Sequence, residues 1–149
     1  MNRDPIIVCF LCNWCSYEAA DKAGNARLSY PATIRPIRLM CSGRVEPEFV
    51  LQAFAEGASG VLILGCHPGD CHYKKGNHKI LGRALLLKKM LKQFGIEPER
   101  LRLDWASASE GERFARIANE MAATIARLGE LKLSRQPSAY PAPSIATKI

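Results

Sequence analysis

Cysteine and histidine side chains crowd into one half of this chain, and their chemistry is what the sequence has to explain. The stretch LGCHPGDCHYKKGNHK, residues 64–79, places Cys66, His67, Cys71 and His72 close together at the end of an apolar run. CNWC, residues 12–15, adds a C-x2-C pair. Thiolates ligate metals, exchange disulfides and act as nucleophiles. These residues therefore raise three candidate chemistries: a metal centre, a redox dithiol and a catalytic thiolate.

The composition is that of one globular domain. The chain has 149 residues, of which 48% are hydrophobic, and this suffices for a single core. We predict a domain over residues 1–130 and a mobile, basic C-terminal tail over residues 131–149. In that last stretch, prolines and small polar residues follow one another without helical or strand periodicity.

The sequence shows no sign of a membrane span or a secretion leader. No apolar run approaches the roughly 18 residues that a membrane helix needs, and the first residues lack the charged and apolar regions of a signal peptide. We therefore expect a cytoplasmic protein. Since that compartment is reducing, its six cysteines are expected to be metal ligands or reactive thiols rather than structural disulfides.

The chain is basic, with a net charge of +7 and a pI near 9.3. This charge would suit a nucleic acid or an acidic protein partner. Aromatic residues make up only 7% of the chain, and no recognised nucleic-acid-binding module accompanies the charge. We therefore expect no nucleic acid, and interpret the basic residues as a solvated face or a docking surface for an acidic protein.

Strand-like runs alternate with helical runs, which is the pattern of an α/β domain with a parallel sheet. The predicted strands cover residues 6–12, 34–41, 60–66 and 100–105. The first and third are continuously apolar, as strands buried on both faces are. The sequence predicts a single doubly wound domain, flavodoxin-like or Rossmann-like, with a mostly parallel four-stranded sheet.

Three helices have clear signals in the sequence. The first begins at Pro47 and is closed by Gly57. The second covers residues 78–94, and its apolar stripe consists of Ile80, Ala84, Leu87, Leu91 and Phe94. The third is predicted to open with the capping box Ser109-x-x-Glu112.

All cysteines but one fall at the carboxyl ends of predicted strands or in the loops that follow. These five residues are Cys12, Cys15, Cys41, Cys66 and Cys71. If the strand order is 2-1-3-4, the three strand ends concerned are neighbours, so the five thiols meet at one edge of the sheet. Cys9 lies inside the first strand, where a free cysteine behaves as a small buried hydrophobic residue. The pattern favours a metal ion or cluster at that edge.

Two other chemistries stay open as alternatives. Structural zinc also takes four thiolates, but usually from two short C-x2-C knuckles, and here only CNWC has that form. A CNWC dithiol oxidoreductase would leave Cys41, Cys66 and Cys71 without a role. A phosphatase-type nucleophile needs an arginine soon after its cysteine, which neither cysteine motif supplies.

With these residues assembled, the chain resembles the family of D-type iron-sulfur subunits of methyl-viologen-reducing (F420-non-reducing) hydrogenase, which is associated with heterodisulfide reductase. Three stretches carry the resemblance, and they contain the motifs CNWCSY, MCSGRV and GCHPGDCHY: residues 10–24, 30–77 and 95–115. Together they span nearly the whole predicted domain and leave the tail outside.

The resemblance implies an electron-transfer subunit with a [2Fe-2S] cluster rather than an enzyme that acts alone. Its implied partners are a hydrogenase or formate dehydrogenase-type subunit and the flavin subunit of a heterodisulfide reductase. The family's cysteine pattern falls on Cys12, Cys15, Cys41, Cys66 and Cys71, five candidates for the four ligand positions of the cluster. The histidines could ligate iron as they do in Rieske centres. We expect them instead in supporting, hydrogen-bonding roles beside the cluster.

Two further expectations concern the surroundings of the thiols. Glycine at positions 43, 65 and 69 is expected to let the backbone approach the sulfurs, so that loop amides point at them. Three basic residues that follow Cys71 are expected to help dock a partner protein: Lys74, Lys75 and Lys79.

Overall fold

The computed structural model describes residues 4–133, and these form an α/β fold around a four-stranded parallel sheet. The strands are β1 (Ile7–Cys12), β2 (Ile34–Leu39), β3 (Gly60–Gly65) and β4 (Leu101–Trp105). Their order is β2-β1-β3-β4, with every pair parallel. The predicted fold class is therefore confirmed, and the strand order is the one under which the cysteine-bearing strand ends were expected to be neighbours.

Four helices connect and cover the strands: α1 (Ser16–Asn25), α2 (Pro47–Ala55), α3 (Gly76–Gln93) and α4 (Gly111–Leu128). Helices α1 and α4 pack against one face of the sheet, while α2 and α3 pack against the other. Because both faces are covered, the central strands need apolar side chains throughout. Accordingly β3 is buried at all six positions, and β1 at all but Val8.

The predicted start of α4 is wrong. The helix begins at Gly111, and its preceding residue is Glu110 rather than Ser109. The Ser109 hydroxyl lies 3.2 Å from the Ser107 hydroxyl instead of capping the helix. The Glu110 carboxylate accepts a hydrogen bond from the Ser107 amide at 2.8 Å, so a different contact replaces the expected capping box.

The other helix predictions differ only in detail. Pro47 occupies the first turn of α2, and Gly57 follows it with φ of +102°, as expected. Helix α3 begins at Gly76, two residues earlier than predicted, and its predicted apolar stripe is buried except for Phe94. Phe94 follows the last residue of the helix and is exposed.

None of the helices in residues 4–133 combines the length and the apolar character needed to cross a bilayer. The predicted tail lies outside the described residues from Ser134 onward. The domain boundary at residue 130 stays a prediction.

Candidate metal centre

The structure gathers the five loop cysteines at the carboxyl edge of the sheet. Cys12 is the last residue of β1, and Cys15 directly precedes α1. Cys41 and Cys66 lie just past the ends of β2 and β3, and Cys71 lies in the loop before α3. In the β2-β1-β3 order these ends are adjacent. The five side chains form one cluster, in which four are buried and Cys41 is partly exposed.

The sulfurs of this cluster form two sets. The first contains Cys12, Cys15 and Cys66, whose sulfurs lie within 4.8 Å of one another, and Cys12 Sγ and Cys66 Sγ are 3.7 Å apart. The second contains Cys41 and Cys71, with sulfurs 4.0 Å apart. The two sets meet where Cys12 Sγ lies 3.8 Å from the carbonyl oxygen of Met40, the neighbour of Cys41.

The surroundings of the first set favour a thiolate at Cys12. Hydrogen bonds from Cys15 and Cys66 lower the pKa of Cys12 to about 3, against the opposing effect of burial. The same contacts raise the pKa of Cys15 strongly, and contact with Cys12 raises the pKa of Cys66 to about 11. A cationic metal would remove these differences, because thiolate is the form that ligates it.

Backbone amides face the sulfurs of the second set. Burial raises the pKa of Cys71, but hydrogen bonds from the amides of Tyr73, Asn77 and Gly76 outweigh it and the pKa is lowered. Burial also raises the pKa of Cys41, although the Gly43 amide donates to its sulfur at 3.4 Å. Amide donors of this kind favour negative charge on sulfur.

Ser16 ties the end of β1 to the end of β3. Its hydroxyl accepts a hydrogen bond from the Cys12 amide at 2.7 Å and donates one to the Leu64 carbonyl at 2.6 Å. Its side chain is completely buried. Two of the strand ends that carry cysteines are therefore fixed relative to each other by one hydroxyl.

Glycine allows the second set to assemble. A Cβ atom at Gly43 would lie 2.8 Å from Gly76 Cα, so the Cys41 loop packs directly on the start of α3. Gly65 has a different role, since its missing side chain makes room for Ser42 and Trp105. Gly69 has φ of +95° and no atom within 4 Å of a Cβ position, so it forms a turn rather than a close approach.

Arg83 holds the loop that carries Cys41. From α3 its guanidinium donates to the carbonyls of Gly43 at 2.8 Å and Val45 at 3.0 Å, and forms an ion pair with Glu46 at 2.8 Å. Arg83, Ser16 and Gly76 were not predicted as part of the site. Only Gly76, two residues before the predicted helix, left a local signal in the sequence.

The two histidines beside the thiols have protein partners. His67 Nε2 lies 2.6 Å from a Glu110 carboxylate oxygen. His72 stacks on Trp14, with ring centroids 4.0 Å apart. The expected supporting role of the two rings beside a cluster stays a prediction.

Trp105 and Cys9 both pack with the hydrophobic core. Trp105 is partly buried and packs against the buried residues beneath α2 and α3. Cys9 is fully buried within β1, and burial raises its pKa. A thiol that is hard to ionise in this way is a poor metal ligand.

The donor set fits an iron-sulfur cluster. Such a cluster takes four thiolates, and the site offers five within two closely spaced sets. A single zinc ion would also take thiolates, but the three sulfurs of the first set have to find their fourth ligand in the second. A dithiol oxidoreductase needs only Cys12 and Cys15, so it leaves the rest of the cluster without a use.

Comparison with known proteins agrees with this chemistry. Residues 7–129 match the family described as the methyl-viologen-reducing hydrogenase delta subunit. An F420-non-reducing hydrogenase iron-sulfur subunit of Archaeoglobus profundus is 57% identical over 132 residues, which cover 89% of this chain and 96% of that protein. The vhc iron-sulfur subunit of an F420-non-reducing hydrogenase of Methanococcus voltae is 54% identical over 89% of this chain and 92% of that protein.

A third relative is a much longer protein. It is a subunit of the ferredoxin/F(420)H(2)-dependent CoB-CoM heterodisulfide reductase of Methanosarcina acetivorans, and it is 50% identical over 127 residues. The match covers 85% of this chain but only 16% of that protein, so the same domain occurs there as part of a larger polypeptide. With a family match over nearly all described residues, and relatives that align almost end to end, the chain belongs to the methyl-viologen-reducing hydrogenase delta subunit family.

Proposed function

We propose that this chain is a [2Fe-2S] electron-transfer subunit. It would receive electrons from a hydrogenase or formate dehydrogenase-type subunit and pass them to the flavin subunit of a heterodisulfide reductase-type complex. The observation that carries the proposal is the convergence of Cys12, Cys15, Cys41, Cys66 and Cys71 at one edge of the sheet. When bound, the cluster supplies one-electron redox chemistry. The cysteines hold it, and the surrounding amides stabilise charge on their sulfurs.

The relatives support both ends of this path. Two of them are named as hydrogenase iron-sulfur subunits, and a third is a heterodisulfide reductase subunit that contains a domain similar to this chain. A domain fused to that subunit in one organism is a good candidate for docking on the corresponding subunit in another. We propose a cytoplasmic location, because thiols kept reduced for metal binding are typical of that compartment.

A groove beside Cys41 is our candidate for the docking surface. It has a volume of about 1220 Å³, and Cys41 is partly exposed in it. Met40 and Tyr73 supply exposed apolar surface, with exposed fractions of 57% and 50%. Four basic side chains also line it: Arg38, Arg44, Lys75 and Lys79. This combination suits a partner surface that is apolar at its centre and acidic at its rim.

Charge reversal tests this docking surface. Lys75→Glu with Lys79→Glu should weaken binding to the heterodisulfide reductase flavin subunit and reduce the dependence of the affinity on salt. Lys89→Glu with Lys92→Glu is the matched control, since it changes the net charge equally but farther along α3. Lys89 lies ten residues beyond Lys79, roughly 15 Å along the helix axis. Equal binding by the two double variants would contradict the docking surface.

A zinc-stabilised interaction domain is the second candidate, because three thiols within 4.8 Å of one another resemble part of a zinc site. Metal analysis of the anaerobically purified protein distinguishes the two candidate functions. Its iron, zinc and sulfide contents are measured, and EPR spectra are recorded before and after reduction by dithionite. About two irons and two sulfides per chain, with an S = 1/2 signal after reduction, would support the electron-transfer subunit. One zinc and no sulfide would reject it.

A further inference from the structure

We infer that Cys15 binds no iron, and that Cys12 and Cys66 hold one iron of the cluster while Cys41 and Cys71 hold the other. This inference rests on the proposed function, and it assigns four ligands among five candidate thiols. It also gives the fifth thiol a role as a hydrogen-bond donor to a neighbouring sulfur.

The first argument is distance. Two thiolates on one tetrahedral metal lie about 3.8 Å apart when the metal–sulfur bonds are about 2.3 Å long. Cys12 Sγ and Cys66 Sγ are separated by 3.7 Å, and Cys41 Sγ and Cys71 Sγ by 4.0 Å. Both separations fit a pair of sulfurs that share one metal.

The second argument is the number of thiolates on each iron. With four cysteine ligands, each iron of a [2Fe-2S] cluster takes two, and sulfurs on different irons lie farther apart because the metals themselves are separated. The sulfurs of Cys12, Cys15 and Cys66 all lie within 4.8 Å of one another. These three sulfurs are one more than a single iron takes from cysteine. The other iron cannot take the third sulfur, because Cys41 and Cys71 already supply its two.

Position selects Cys15 as the surplus thiol. Cys12 belongs to the ligand set because its sulfur approaches the Met40 carbonyl, next to Cys41, and so faces the second pair. Cys66 lies at the single-metal distance from Cys12. Cys15 is the member of the first set that belongs to neither of the two close sulfur pairs, and together with Cys66 it lines a separate cleft of about 250 Å³.

A thiol left beside two bound sulfurs has a definite use. Its S–H group can donate a hydrogen bond to one of them, and such bonds stabilise the more negative, reduced state of a cluster. Cys15 is then a positioning residue that raises the reduction potential without holding iron. Its burial keeps water from replacing it as the donor.

The test compares single variants of the full chain, purified anaerobically. Cys15→Ala and Cys15→Ser should keep the iron and sulfide content of the wild type. Cys12→Ser, Cys41→Ser, Cys66→Ser and Cys71→Ser should each lose the cluster or show a changed reduced EPR spectrum, because oxygen would replace a sulfur ligand. Circular dichroism of both Cys15 variants verifies that the helix content of the protein is unchanged.

The potential provides a second readout. Cys15→Ala should have a lower reduction potential than the wild type, whereas Cys15→Ser, which keeps an O–H donor, should restore most of the difference. An iron-free but folded Cys15→Ala, together with a wild type that contains iron and sulfide, would overturn this inference alone. A wild type with one zinc and no sulfide would overturn the proposed function as well.

Discussion

Gly76 lies directly against the sulfur of Cys41. A Cβ atom on residue 76 would overlap Cys41 Sγ and would come within 3.1 Å of Cys71 Sγ. The start of α3 thus forms part of the wall around the second pair of thiols. Any larger residue at this position has to push one of the two sulfurs away, because the obstructing neighbours are sulfur atoms held by short side chains.

Substitution of Gly76 by alanine should therefore reduce cluster occupancy. We expect Gly76→Ala to bind less iron and sulfide than the wild type and to lose iron faster to a chelator. Gly82→Ala, on the same helix, is the matched control, since a Cβ there meets no atom within 4 Å. That control should stabilise the protein by about 0.5–1 kcal/mol and leave iron content unchanged. Equal iron content in the two variants would disprove the steric role of Gly76.

The strand ends could be predicted from the sequence because they depend on local and repetitive signals. Apolar runs such as residues 60–66, which end in a glycine and a cysteine, mark a buried parallel strand and its functional end. Contacts made by Ser16 and Arg83 could not be predicted, since each joins a side chain to backbone groups distant in sequence. The capping box at Ser109 failed for a related reason: Glu110 makes longer-range contacts that the local pattern does not show.

Ser16 should be important for both stability and cluster retention. Ser16→Ala leaves the buried Cys12 amide and Leu64 carbonyl without their shared hydroxyl partner. We expect a loss of about 1–3 kcal/mol in the free energy of unfolding and faster iron release. Ser109→Ala, at an exposed serine, serves as the control and should change neither quantity. Urea unfolding followed by circular dichroism gives the stability, and an unchanged midpoint for Ser16→Ala would contradict the prediction.

Arg83 should control the mobility of the loop that carries Cys41. Arg83→Met keeps much of the side-chain volume but removes the bonds to the Gly43 and Val45 carbonyls. We expect faster amide hydrogen exchange over residues 41–46 and a loss of about 2 kcal/mol in stability, since hydrogen bonds from a charged donor are among the stronger ones. Lys89→Met on the same helix provides the comparison. If residues 41–46 exchanged their amide hydrogens equally fast in Arg83→Met and Lys89→Met, Arg83 would not be what holds the loop.

Arg100 should stabilise the fold without affecting the thiols. Its fully buried guanidinium donates to the carbonyls of Ser59 and Gly129, each at 3.0 Å, beside the amino end of β4 and opposite the cysteine edge. We expect Arg100→Ala to lose about 3 kcal/mol while its iron content at low temperature stays that of the wild type. Arg127→Ala, an exposed arginine, should lose little. If Arg100→Ala lost its iron before it lost its folded structure, Arg100 would affect the thiol site as well as the stability of the fold.

Cys9 tests whether burial alone distinguishes a core cysteine from a ligand. It is completely buried in β1, in register with Leu62 of β3, and packs with α1 and α4 rather than with the other thiols. Cys9→Ala should keep full iron content and lose about 1 kcal/mol of stability from the lost packing. Cys9→Ser should lose more, because its hydroxyl would be buried among apolar groups, which costs about 1–3 kcal/mol in proteins. The order of thermal midpoints should therefore be wild type, then alanine, then serine, at constant iron content. If Cys9→Ala remained folded and lost its iron, Cys9 would join the ligand candidates and the two-pair arrangement would have to be revised.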